Sequence, residues 1–223
     1  MKIVISLGCS IFSKDSGVDL DYIREFSKAL LPLSTEHEFF IVTGGGRTAR
    51  NYIDAGRGLG ANEEFLDSMG IAATRLNAMI LKAALGSTVP HIPKRVEEAK
   101  PAGGEIFVMG GTVPGHSTDA VSAMLAEQVG ADLLINATNV EGVYERDPKK
   151  DPSAKRYNCL TPTELLGIVE TKNYRAGTST VIDPKAARII LKNQIKTAIV
   201  DGRNVENIVS AIQGKVRGTT IEA

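Results

Sequence analysis

The sequence predicts an α/β fold, a mainly parallel sheet with helices on both faces. Short runs rich in β-branched residues alternate along the chain with longer segments of helical period, the pattern of strands joined by crossover helices. Three of these runs lead at once into glycine-bearing turns: Gly8-Cys9-Ser10, Gly44-Gly45-Gly46, and Gly110-Gly111 leading to Gly115. The 223 residues are 43% apolar and 23% charged, which suits one globular domain of substantial core or two small lobes.

Taken in order, Lys2–Leu7 reads as a buried strand that enters a tight turn at Gly8. From Asp19 to Leu31, apolar residues at Leu20, Ile23, Phe26, Ala29 and Leu30 keep helical spacing, and Pro32 is expected to stop the helix. Glu38–Thr43 is a second strand, and Thr48–Ala55 is helical after the glycines. Glu63–Leu85 is a long helical pattern with Gly70 as its weak point and Gly86 at its end. Pro90–Gly104 predicts a short helix between loops. The pattern then repeats: strand Glu105–Met109, helix Thr118–Val129, strand Asp132–Ala137. A surface loop is expected at Asp147–Pro152. Helices follow at Pro162–Val169 and Pro184–Lys192, each with a proline in its first turn. Strand Lys196–Val200, helix Val205–Ile212 and a short strand Thr219–Glu222 complete the chain. No internal repeat, low-complexity tract or linker divides it; two lobes sharing one sheet would meet near residues 130–140.

Lys plus Arg equals Asp plus Glu at 26 each. That balance gives no electrostatic reason to expect nucleic acid or an anionic membrane as partner, though it allows a local basic pocket. Cys9 and Cys159 alone make neither a disulfide framework nor a cysteine metal site. The apolar stretch before Gly8 is too short for a signal peptide or a membrane span, and a cytoplasmic setting is expected.

Amide groups at strand-to-helix turns favour anions, and in open α/β sheets such turns gather at the carboxyl edge. One glycine turn is explained equally well by chain reversal; three together favour a phosphate site. Neither the Gly-x-x-x-x-Gly-Lys-Ser/Thr loop nor the dinucleotide fingerprint is present, so phosphoryl transfer would use another scaffold. The sharpest segment is Met109–Ala120. In it Ser117 and Thr118 suit a helix cap, and Asp119 suits the first helical turn even without a catalytic role. His116 alone reads as a loop histidine. Asn136–Tyr144 followed by Asp147-Pro148 suits either a hairpin or a pocket for an adenine ring.

Together these motifs resemble the amino-acid kinase family and, within it, the UMP kinases of archaeal type. The resemblance runs from Lys2 to Glu222. It is carried by Gly44–Arg50, by Asp67 with Gly70-Ile71 and Thr74-Arg75-Leu76-Asn77-Ala78, by Gly110–Asp119, and by Thr138–Tyr144 with Asp147-Pro148. It implies a three-layer α/β/α sandwich, a single domain over residues 1–223. An acceptor part would cover about 1–130 and an ATP part about 131–223. For UMP it implies Gly45, Asp67 on the ribose hydroxyls, and Thr112, Val113, Pro114, Gly115, His116, Ser117 and Thr118 around the uracil and acceptor phosphate. For ATP it implies Cys9, Ser10, Gly46, Arg50, Thr138, Asn139, Tyr144 and Asp147. Asp119, Ser10 and Arg50 would be catalytic. Mg²⁺ would arrive with ATP and be held mainly by its phosphates, and the chain would self-associate as a homohexamer.

The chain departs from that pattern twice. Cys9 replaces the middle glycine of the first turn, and Ser6 stands where bacterial relatives carry a lysine. Lys2, Lys14 and Arg47 are the candidates for the missing cation. An acceptor other than UMP (an amino acid, carbamate or isopentenyl phosphate) is the alternative on the same fold. A nucleotide-binding sensor or storage protein without catalysis is the alternative of a different class.

Overall fold

In a computed structural model, the structure describes residues 1–8, 13–14, 17–89, 91–100, 106–146, 148, 150–171 and 181–222. Its centre is a seven-stranded sheet in the order β5-β4-β1-β6-β8-β9-β7. The strands are β1 (Lys2–Leu7), β4 (Glu38–Thr43), β5 (Phe107–Met109), β6 (Leu133–Thr138), β7 (Cys159–Leu160), β8 (Thr197–Asp201) and β9 (Gly218–Ile221), with a separate two-residue pair, β2 (Ser13–Lys14) and β3 (Gly17–Val18). The pairings through β5, β4, β1, β6 and β8 are all parallel; β9 pairs antiparallel with β8 and parallel with β7. Leu7 stands opposite both Thr43 and Ala137, so three neighbouring strands end side by side and their turns share one edge.

The helices are α1 (Leu20–Leu33), α2 (Gly46–Gly58), α3 (Glu63–Ala84), α4 (Thr118–Val129), α5 (Pro162–Thr171), α6 (Pro184–Asn193) and α7 (Val205–Ile212). They cover the sheet on both faces. One core joins Ile3, Ile5 and Ile41 to Phe26, Leu30, Leu81 and Ile208, beneath α1, α3 and α7. The other joins Val4, Phe40 and Val42 to Val121, Leu125, Leu165 and Ile190, beneath α4, α5 and α6. Alternate residues of β1 and β4 therefore serve opposite faces, as the two-residue repeat of a strand dictates.

Several expectations shift. Helix α1 runs through Pro32 to Leu33, and the Ser34 amide bonds the Leu30 and Leu31 carbonyls to close it. A proline in the last turn removes a single helical bond, so the helix ends after it instead of before it. The short helix after residue 90 is one 3-10 turn, Val96–Glu98. The 136–144 segment makes no tight hairpin. Tyr144 bridges to Arg156, the Tyr157 amide bonds the Val143 carbonyl and the Glu145 amide the Lys155 carbonyl. Strands β2, β3 and β7 were not predicted, because two-residue strands carry no period. Gly70 belongs within α3 for packing: a Cβ there would come 3.2 Å from Ile53 Cδ1 of α2.

Candidate active site

At the shared carboxyl edge the turns are stitched to their neighbours by backbone bonds. The Gly44 amide bonds the Leu7 carbonyl at 2.9 Å, the Gly8 amide the Ala137 carbonyl at 2.9 Å, and the Gly202 amide the Thr138 carbonyl at 2.8 Å. On the β4-β5 side this edge opens into a cavity of about 190 Å³. Its walls include Gly45, Gly46, Ala49, Arg50 and Ile53 from α2 and the turn before it, Asp67, Gly70, Ile71 and Thr74 from α3, and Gly111, Val113, Pro114, His116 and Thr118 from the turn after β5. Gly46 opens α2 with φ +65°, a conformation that glycine adopts without steric cost. Arg50 is exposed one turn further along α2.

Helix α3 braces this side. Thr74 Oγ1 accepts from the Gly111 amide at 2.7 Å and donates to the Ile71 carbonyl. Buried Asn77 donates to the Gly44 carbonyl at 2.7 Å. Asp67 accepts from the Gly115 amide at 2.8 Å through one oxygen. A Cβ on Gly110 would lie 2.6 Å from Thr74 Oγ1 and 2.8 Å from the Arg75 amide, so only glycine lets the turn approach the helix this closely.

The N-termini of α4 and α6 meet beside the cavity. Ser117 caps α4 by accepting from the Ala120 amide, and its hydroxyl donates to Asp183, which itself caps α6. Asp119, in the first turn of α4, accepts from Ser6 Oγ at 3.1 Å. Burial pushes the Asp119 carboxyl up to about 7; the charge of Asp183 adds to the shift and the Ser6 hydrogen bond opposes it. Burial and then the charge of Lys185 hold His116 below the ordinary histidine range, with Asp183 opposing. His116 Nδ1 and Thr112 Oγ1 are buried and have no hydrogen-bond partner among the described residues, as is true of Ser27 Oγ and Glu38 Oε2 away from the cavity; on the turn beside the cavity, such groups are open to a polar ligand.

The expected UMP residues thus converge. Gly45, Asp67, Val113, Pro114, His116 and Thr118 line one cavity, Gly115 is bonded to Asp67, and Ser117 caps the adjoining helix. Of the expected ATP residues, Gly46 and Arg50 line the same cavity. Thr138 and Asn139 lie at the end of β6. The Tyr144 hydroxyl donates to Glu141; burial first, then that bond and the charge of Glu141, raise its pKa. Cys9, Ser10 and Asp147 lie outside the described residues, as does the Lys14 side chain. Lys2 is excluded as the missing cation: it begins β1, its ammonium donates to the Val129 carbonyl, and five residue steps of strand put it ~16 Å from the site edge. Sequence reasoning did not single out Asp183 or Lys185, which sit at an ordinary helix start in the sequence, nor the separate tasks of Thr74, Arg75 and Asn77.

The model of the amino acid kinase family matches residues 1–201. The chain belongs to the amino acid kinase family. A relative from Archaeoglobus fulgidus named uridylate kinase is 48% identical, over 99% of this chain and 100% of that one. One of the same name from Pyrococcus abyssi is 47% identical over the whole of both chains. The crystal structure of the Archaeoglobus fulgidus uridylate kinase superposes with a TM-score of 0.88 over 99% of this chain and 100% of that chain. The fold extends to the UMP kinase of Ureaplasma parvum, at TM-score 0.79 and 24% identity, over 100% of this chain and 98% of that one. Among the described residues no helix is long and apolar enough to cross a membrane.

Proposed function

We infer that this chain transfers the γ-phosphate of ATP to UMP, giving UDP and ADP. The observation that carries the reading is the α3-braced cavity, which brings Asp67, Arg50 and the Gly45–Gly46 turn to one place, in a chain 48% identical to a uridylate kinase over its length. Asp67 accepts the ribose hydroxyls of UMP. Arg50 and the amides at the start of α2 take phosphate, a planar fork and a helix N-terminus being suited to it. ATP enters from the β6-β8 side over Thr138, Asn139 and Tyr144. The acceptor is a phosphate oxygen already ionised near neutral pH, so the protein's task is to hold two anions in line and to neutralise them. Lys185, at the start of α6 where its amide bonds Asp183, joins Lys14 and Arg47 as a candidate for the cation that Ser6 does not supply.

Mg²⁺ would arrive with ATP, held mainly by its phosphates, and would supply charge neutralisation there. The residues suit it: the Asp119 carboxylate, buried beside Ser6 and near Asp183, would be relieved by a cation nearby. Asp119 orients the cations around the transferred group and does not touch the phosphoryl, because like charges repel. The enzyme works in the cytoplasm, in pyrimidine nucleotide biosynthesis, as a homohexamer built from dimers. Helix α3 supports the assembly: Phe65 and Leu76 are 61% and 55% exposed, with Met79 beside them, a stripe at helical spacing that a second copy would cover. Initial-rate ADP release with UMP, dUMP, CMP and carbamate tests the function. Turnover of UMP far above the others is expected, and preference for carbamate would overturn the reading.

A further inference from the structure

Arg75 occupies the border between the buried face of α3 and its exposed stripe. Its guanidinium donates through Nε to the Gly111 carbonyl at 3.2 Å and through a terminal nitrogen to the Thr112 carbonyl at 2.9 Å. Two consecutive carbonyls of the turn after β5 are therefore held by one planar fork, while the Gly111 amide is held by the neighbouring Thr74. No acidic side chain pairs with Arg75 among the described salt bridges. An arginine whose ordinary partner is a carboxylate is here spent on backbone.

We propose that Arg75 is a positioning residue for UMP, setting the backbone of Gly111 and Thr112 so that the turn from Thr112 to His116 keeps the shape of the acceptor cavity. The inference rests on the UMP reading of that cavity. Thr112 Oγ1 and His116 Nδ1, two of the buried atoms that have no partner among the described residues, both lie on the turn that this fork anchors. A shift of the anchored backbone moves both of them relative to the ligand. The fork is the essential feature. Lysine keeps the charge but presents a single ammonium and cannot bond both carbonyls in the same plane. Glutamine keeps a donor and loses both charge and reach. In this reading the ATP nucleoside lies over Thr138, Asn139 and Tyr144, across β1 from the fork, so the ATP KM is expected to be independent of it.

The test is steady-state kinetics of Arg75→Gln and Arg75→Lys, with UMP titrated at saturating ATP and ATP titrated at saturating UMP, and thermal melting alongside. Arg75→Gln is expected to raise the UMP KM tenfold or more, while kcat and the ATP KM stay within threefold. Arg75→Lys is expected to fall between Gln and the parent, because charge is retained and the fork is lost. An unchanged UMP KM in Arg75→Gln overturns the proposal. So does a parallel fall in kcat, both affinities and Tm in both variants, since that is loss of scaffold. If Arg75→Gln does not fold, Arg75→Lys decides alone: a parental UMP KM overturns the proposal. Failure of the parent enzyme to phosphorylate UMP would instead sink the function reading, which the same titration detects first.

Discussion

The two sides of the carboxyl edge are built differently. On the acceptor side, the turns after β4 and β5 are held by side chains of one helix, and the decisive atoms are buried: Asn77 on Gly44 and Thr74 on Gly111, with Asn77 only 4% exposed. On the donor side, the loops after β6 and β8 are held by the Gly202–Thr138 backbone bond, by buried bonds from the Tyr22 hydroxyl to the Gly202 carbonyl and from the Val143 amide to Thr219 Oγ1, and around Glu141 and Arg203 by pairs near the surface. Arg203 grips Asp201, Arg156 lies 3.7 Å from Glu141, and Tyr144 donates to the same Glu141. Buried hydrogen bonds are costly to break because the abandoned group stays desolvated, whereas exposed ion pairs contribute 0–1 kcal/mol or so. The acceptor turns are therefore shaped before ligand arrives, and the surface-held part of the donor side, around Glu141, Glu145 and Arg203, completes itself around ATP. An enzyme that must choose one small acceptor gains from a rigid pocket there, since preformed geometry lowers the ordering cost of binding.

The largest expected effect lies on the seam between the halves. Asp119→Asn should lower kcat by roughly tenfold to a thousandfold, or about 1.4–4 kcal/mol of barrier, with UMP binding within a few-fold. The same substitution should stabilise the fold at pH 8. A carboxyl whose folded pKa is raised from 3.8 to about 7 favours the folded state only while protonated. Stability is lost as pH climbs through that window, and the loss is complete above it. Removing the charge should restore ~1–3 kcal/mol at pH 8 and nothing at pH 4. Lower activity with a raised Tm is the signature, read by saturating kinetics and melting; a normal kcat returns Asp119 to a helix-start role.

Next in size, Asp67→Ala should weaken UMP by about 1.5–3 kcal/mol, the range for a charged hydrogen bond, and leave ATP unchanged. An unaltered UMP KM sinks the ribose assignment. Arg50→Lys should lose kcat/KM although the charge survives, since lysine cannot form the bidentate pair. Parental kcat/KM would make Arg50 an ordinary solvated residue.

The comparison itself is sharpened by a matched pair of variants. Asn77→Ala leaves the Gly44 carbonyl without its donor and should cost ~1–3 kcal/mol of stability. Arg203→Ala on the donor side should cost under about 1 kcal/mol. Denaturant melts compare them, and equal costs would erase the distinction between the halves.

The smallest effect is in pH. Asp183 faces Asp119 together with Ser6, and its neighbours His116 and Lys185 face the same space. Asp183→Asn keeps the α6 cap and removes a like charge, so the folded pKa of Asp119 falls. The acid limb of kcat/KM should then move to lower pH relative to the parent, a comparison in which titration of UMP itself cancels. A limb that stays or moves upward contradicts the arrangement.

Much of this was legible in the sequence, for identifiable reasons. Helix α3 was readable because Leu66, Met69, Ala73, Leu76, Ile80 and Leu81 keep helical spacing and Gly86 follows, and the Asn62 cap and acidic first turn agree with it. The acceptor turn was readable because glycines, cap residues and Asp119 lie within one short segment. Asp183 was not, because it meets Ser117 across 66 positions and at its own place is only an aspartate before a proline. Thr74, Arg75 and Asn77 were noticed as a motif, but which distant backbone group each one holds is a matter of packing, since those partners lie 33 to 37 positions away.

Hydrogen exchange of the ligand-free protein tests the difference between the halves most directly. The Gly111 amide, bonded to buried Thr74 Oγ1, is predicted to exchange slowly, near the rate set by global unfolding. The Arg203 amide, bonded to Asp201 in an exposed turn, and the Glu145 amide, bonded to the Lys155 carbonyl, are predicted to exchange through local opening and to gain protection when ATP is added. Fast exchange at Gly111 alongside slow exchange at Arg203 and Glu145 in the ligand-free protein would contradict a preformed acceptor site.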